Sequence, residues 1–266
     1  MLYGCLLAEL NPLKPVVAEP VFTFMLAGHK IIFSNHMFMV TVATVLLLII
    51  IPLAFRRKSL TPKGFQNLIE SICIFLREEV ARPCFGENTD RFIAFIWTIF
   101  FFILTLNLLG LIPTEKLIYL ITGKENVFGG AAATNIWVTG ALACITFIIT
   151  HVAGIRKQGL FKYLKNFIPH VPWWLVPMMY VLEVIAAIVR PFALAIRLFA
   201  NILAGHIVLA TFIGLILIFR SWFIAAGSVT IVVLMSFLEI LVVFIQTYIF
   251  TMLSALFISM AMEPEH

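Results

Sequence analysis

Residues 173–219 read WWLVPMMYVLEVIAAIVRPFALAIRLFANILAGHIVLATFIGLILIF, and a soluble core could not hide them. The run is longer than the ~20 apolar residues that cross a bilayer as a helix. It nevertheless carries Glu183, Arg190, Arg197 and His206. A second long run, 223–262, holds one carboxylate, Glu239, with Gln246 one heptad further on. Three shorter runs, 38–55, 92–112 and 136–154, approach or exceed spanning length. Composition agrees: 62% of the chain is hydrophobic and 12% charged, far from the roughly half apolar and quarter charged of a soluble domain. The sequence therefore reads as an all-α integral membrane protein.

Outward from the long runs, the chain divides into a segment 1–36, a span 38–55 and an amphipathic surface helix 61–82. Two spans, 92–112 and 134–154, follow as a hairpin, and then the two long membrane helices, 172–219 and 223–262. No repeat, low-complexity stretch or soluble domain interrupts this single membrane domain. In the surface helix Thr61 can cap and Pro62 can occupy the first position. Phe65, Leu68, Ile69, Ile72, Phe75, Leu76 and Val80 then recur at helical spacing, as in a helix lying along the membrane.

The basic residues sort by loop. Arg56, Arg57, Lys58, Lys63, Arg77, Arg82, Arg91, Arg156, Lys157, Lys162 and Lys165 fall on one side, against Lys14, Lys30, Lys116, Lys124 and Arg220 on the other. This asymmetry puts the N-terminus outside and the C-terminus inside. The same sorting argues against nucleic acid as a partner, since no basic patch forms on a soluble domain. Span 38–55 is followed by Arg56-Arg57-Lys58 rather than a small-residue cleavage site, so it is expected to be retained. Cys5, Cys73, Cys84 and Cys144 lack metal-ligand spacing and are expected to be buried small hydrophobes.

An ionisable group at a helix centre costs roughly 2.5–3.5 kcal/mol on insertion scales, so such groups are functional suspects. Glu183, Arg190 and Arg197 are seven apart and share one stripe at ~100° per residue. Asn201 lies about 40° from that stripe, whereas His206 is about 180° from Arg197. Two polar surfaces on opposite sides of one helix suit two separate aqueous pockets better than a single pore. The long helices must form an antiparallel hairpin turning near Arg220–Trp222. In that hairpin the pairs His206/Glu239 and Arg197/Gln246 share nearly the same register. Ala193, Ala195, Ala200, Ala204 and Gly205 flank Arg197, as small residues do at membrane helix interfaces; packing within the same chain is the alternative use. Structural alternatives exist for the charges too, namely a snorkelling or structurally paired Arg190, a structural rather than functional Glu183, and a hydrogen-bonded couple for His206 and Glu239.

Arg197-Leu-Phe-Ala-Asn201-Ile-Leu-Ala-Gly205-His206 resembles the signature of subunit a of F-type ATP synthases. Asn107-Leu-Leu-Gly-Leu-Ile-Pro113, Arg190-Pro191 and Ile245-Gln246-Thr-Tyr-Ile-Phe250 are similar to further motifs of that family, so the resemblance covers most of the chain. It implies one N-terminal transmembrane helix, a surface helix, a transmembrane hairpin and two long tilted helices wrapping a ring of c subunits. It also implies that Arg197 faces the ring carboxylate and that Glu183 serves an inner half-channel. His206 and Glu239 would serve an outer half-channel, with Asn201 and Gln246 beside the arginine. Many bacterial members carry the histidine and the carboxylate at positions 206 and 239 in the opposite order, and Ala200 replaces a common glycine.

The implied function is a proton-translocating stator subunit whose two offset half-channels let proton flow drive ring rotation and ATP synthesis. Its partners would be the c-ring, b-type peripheral stalk subunits, the rest of the synthase and membrane lipid. The chain would not itself be an enzyme and would need no cofactor or metal. The expected location is a bacterial inner membrane, with the mitochondrial inner membrane as the alternative. A secondary transporter with Arg197 binding an anion, or a structural anchor, are the competing classes; the transporter predicts broken helices or internal repeats, which the sequence lacks.

Overall fold

Hydrocarbon offers no hydrogen bonds, so each spanning segment must satisfy its own backbone, and helices do so within one segment. The structure, a computed structural model, describes residues 20–26, 29–55, 64–112, 132–166, 172–219 and 221–262. Strands β1 (Pro20–Leu26) and β2 (His29–Ser34) pair antiparallel. Helices follow as α1 (Asn35–Ala54), α2 (Phe65–Phe75), α3 (Arg82–Phe85), α4 (Thr89–Leu111), α5 (Ile136–Gln158), α6 (Leu160–Asn166), α7 (Val176–Phe219) and α8 (Trp222–Met262). Five helical stretches are long and apolar enough to cross a membrane, the second of them running from Phe65 to Leu111. The protein is thus an all-α membrane protein carrying one small hairpin. That hairpin falls inside segment 1–36, to which the sequence reading assigns no element, because strands of only seven and six residues carry little periodicity.

Hydroxyls inside the spans are satisfied locally. Thr41, Thr98, Thr211, Thr230, Thr251 and Ser254 each donate to the carbonyl four residues back. Such back-bonding lets a polar side chain sit in an apolar helix without an orphan donor.

Two compact units divide the chain: Met1–Leu46 with Ile103–Thr139 and Arg197–Gln246, and Leu47–Phe102 with Gly140–Ile196 and Thr247–His266. Every long helix contributes to both.

In the second unit, α2 passes through a π-helical stretch, Leu76–Ala81, into α3. Gly86, with φ of 53°, ends α3. The expected Thr61 cap lies outside the described residues; Gly64, with φ of 62°, stands ahead of α2. Trp97 of α4 donates its indole N–H to the Cys73 carbonyl at 3.0 Å, and Phe75 meets Tyr248 with ring centroids 5.9 Å apart. These contacts fasten α2 to α4 and α8.

Helix α5 was expected to end by Gly154 but continues to Gln158. The physical reason is visible at both glycines. At Gly154 a Cβ would stand 2.7 Å from the Ala261 carbonyl oxygen and against the Tyr163 ring, so this glycine admits a close helix approach. Gly159, with φ of 81°, makes the actual stop. Gln158 then donates to the carbonyls of Ala261 at 2.9 Å and Met262 at 3.3 Å, closing the end of α8. Cys144, expected to be buried, is exposed on α5, and Cys73 and Cys84 are half-buried. A thiol is apolar enough for a lipid-facing position.

Candidate functional site

The first unit holds five of the suspected polar residues, on α7 and α8. Leu194, Ala195, Leu198 and Ile202 are buried and mark the inward face of α7. Arg197 sits on the opposite, exposed face. Ala193, Ala200 and Ala204 are exposed on that same face at helical spacing. The small residues therefore divide. Ala195 is used in internal packing, while the three outward alanines leave the surface around the guanidinium low. Among the described residues, none gives Arg197 a hydrogen bond or an ion pair.

On the inward side, Gly205 lies directly against Glu239. A Cβ at position 205 would stand 2.9 Å from the Glu239 carboxyl carbon. This glycine is what lets the carboxyl of α8 reach the backbone of α7. His206 is half-buried and its ring faces the backbone carbonyl of Gly110 on α4. His206 Nε2 and Glu239 Oε1 are both buried without a hydrogen-bond partner among the described residues. The expected His206/Glu239 pair is thus represented by two orphan polar atoms near one another in register, not by a direct bond between those atoms. Gln246 is buried, with Nε2 likewise unpartnered, and Asn201 is half-buried on α7. Native interiors carry few buried orphan polar atoms, and each calls for an explanation.

In the second unit Glu183 has a different environment. Its Oε1 accepts from Arg190 at 3.0 Å, and the Arg190 guanidinium also stands 6.0 Å from the centroid of the Phe257 ring. The two side chains are 31% and 37% exposed. The carboxyl of Glu183 is thus met within its own helix by an arginine two turns on. Sequence reasoning named Glu183 as a site residue and left Arg190 aside, although their seven-residue spacing already put both on one stripe. The missing signal was extension: two long side chains bridge two helical turns, about 10.5 Å of rise. Among the described residues no group of three or more His, Cys, Asp or Glu side chains could hold a metal ion.

Comparison with known proteins places the chain in a family. The chain is 42% identical over 229 residues to the ATP synthase subunit a of Anaeromyxobacter dehalogenans, covering 85% of this chain and 56% of that protein. It is 40% identical over 247 residues to the subunit a of Chloroherpeton thalassium, covering 90% and 69%. It is 42% identical over 212 residues to that of Myxococcus xanthus, covering 79% and 65%. The match thus reaches between about half and about two thirds of these relatives' length. The model of the ATP synthase A chain family matches residues 37–259, from the start of α1 to near the end of α8. With that span of agreement, and with the arginine, asparagine, histidine and carboxylate sitting on its two long helices, this chain belongs to the ATP synthase A chain family.

Proposed function

We propose that the chain is the proton-translocating stator subunit of an F-type ATP synthase in a bacterial inner membrane, with its N-terminus outside. The observation that carries this reading is Arg197, a permanent cation on an exposed face of an apolar helix, with no partner among the described residues of its own chain. An intramembrane charge without an internal partner calls for one supplied from outside. The outward alanines beside it suit the close approach of another helix. A ring of c subunits carrying a carboxylate satisfies both demands.

Arginine fits the role because its guanidinium does not give up its proton in proteins, whereas a lysine in apolar surroundings can become neutral. Opposite charges ~4 Å apart attract by about 4 kcal/mol at an effective dielectric of ~20. That is worth about three pKa units, enough to make a passing ring carboxylate release its proton and small enough to be overcome at each step. The same fixed charge repels protons crossing directly between the two sides. The buried orphan atoms of His206, Glu239 and Gln246 support a polar route from the outer face to the ring. Glu183, bonded to Arg190, supports a separate polar route on the inner side. Protons would enter by the first, ride the ring and leave by the second, driven by about 2.3 kcal/mol per charge per 100 mV. ATP would be made on partner subunits, with b-type stalk subunits holding this one still.

The test is Arg197→Ala in the assembled complex, read by ATP-driven acidification of inverted vesicles. Pumping should vanish while the small two-helix proteolipid still co-purifies. Pumping within about twofold of normal, or loss of uptake of one particular anionic solute, would count against the stator reading.

A further inference from the structure

Within the second unit, where α4 begins and α5 ends, a cleft of about 220 Å³ opens. Its polar lining is Asn88, Arg91, Arg156 and Lys157, and no lining residue is acidic. The acid next to Arg91, Asp90, is already engaged by Arg77. Arg91 and Arg156 are both exposed, and among the described residues neither has a carboxylate partner. The rest of the lining is apolar, chiefly Phe92, Ile149, Val152 and Met262. The Arg91 guanidinium stands 6.0 Å from the Phe92 ring centroid, which sets the charge against that apolar wall.

Two properties of the cleft narrow its ligand. Arg91 and Arg156 give it positive charge that no carboxylate of the lining meets, and the first turn of α4 adds the partial positive charge of a helix start. The ligand is therefore an anion. Its other wall is hydrocarbon-like, which a free inorganic anion would leave wet, so the anion is joined to an apolar tail. Position supplies a third constraint. Arg91 is in the first turn of α4 and Arg156 in the last turn of α5, so the cleft lies where two apolar spans meet the headgroup layer. We propose that it binds an anionic phospholipid, with Arg91 and Arg156 on the phosphate and an acyl chain along Ile149 and Val152. Planar guanidinium groups suit a phosphate in this geometry, and basic pockets between membrane helices are a known setting for such headgroups. The bound lipid would tie the start of α4 to the end of α5, the two helices that flank the end of α8 at Met262.

The test reconstitutes the complete complex in phosphatidylcholine nanodiscs containing a minor fraction of photoactivatable phosphatidylglycerol. After illumination the labelled peptides are sequenced. Label should concentrate on the ends of α4 and α5 next to the cleft. It should yield to unlabelled phosphatidylglycerol but not to added phosphatidylcholine. Arg91→Gln with Arg156→Gln should lower it by about tenfold or more, and the two Lys replacements, which keep the charge, should retain most of it. Three results would overturn the proposal. Labelling could be indifferent to the Gln pair, it could be competed equally by inorganic phosphate, or it could appear only once Glu263 and Glu265 are changed to Gln. In that last case the cleft belongs to the acidic residues that follow Met262 in the sequence.

Discussion

Arg190 and Arg197 stand two turns apart on α7 and have opposite fates. Arg190 is closed within its own chain, bonded to Glu183 and set against Phe257. Arg197 points away from the buried face of the helix and is left without a partner among the described residues. The cost of placing a cation in an apolar helix is similar at both positions, but it is offset differently. At one it is met by a neighbouring carboxylate, at the other it is left for a second molecule. What the pair teaches is that an intramembrane charge becomes informative about function when its own chain declines to neutralise it.

The sharpest way to break this contrast is a matched pair of lysine replacements. Arg197→Lys should lower ATP-driven proton pumping by about a hundredfold or more, equivalent to ~2.7 kcal/mol. Arg190→Lys should stay within about threefold, because lysine can still pair with Glu183. Equal losses in the two variants would erase the distinction.

The next effect is at Gly205. An alanine there pushes on the Glu239 carboxyl, the movable end of a flexible side chain. The fold should survive, while pumping should drop roughly tenfold, about 1.4 kcal/mol. Vesicle acidification and the heat-aggregation midpoint of the purified complex report the two separately. Unchanged pumping would show that the carboxyl need not sit against α7.

A smaller effect sharpens the comparison directly. A double-mutant cycle on Glu183→Gln and Arg190→Gln should return a coupling of about 0.5–1 kcal/mol in complex stability, the usual worth of a partly exposed pair. The same cycle on Glu183 and Arg197 should return nothing measurable. Smallest of all, Gly214→Ala meets no atom within 4 Å. It should stabilise the complex by up to ~1 kcal/mol through helix propensity and leave pumping alone, which makes it the control for Gly205.

Much of the fold was legible because its signals are local. Apolar runs gave five helices, and seven-residue spacing put Glu183, Arg190 and Arg197 on one stripe. Helix ends were less legible where a glycine has two possible uses. Gly154 looked like a terminator but serves a close approach of Tyr163 and Ala261, while Gly159 makes the turn. The hairpin of β1 and β2 went unseen because two short strands carry too little periodicity to stand out. Of the site, the residue types and their faces could be read. Their partners could not, since the same spacing permits an internal ion pair or an open charge.

From residue order alone came the solvent, the sequence of spans, and the side of α7 on which each charge stands, because hydropathy and the ~100° step per residue act over a few turns of chain. Folding in three dimensions chose which arginine is neutralised, brought the Glu239 carboxyl onto Gly205, and turned His206 toward Gly110. Those outcomes depend on ångström-scale approaches between residues mostly far apart in sequence. Hydrogen bonds and ion pairs form only at such distances, and no periodicity encodes them.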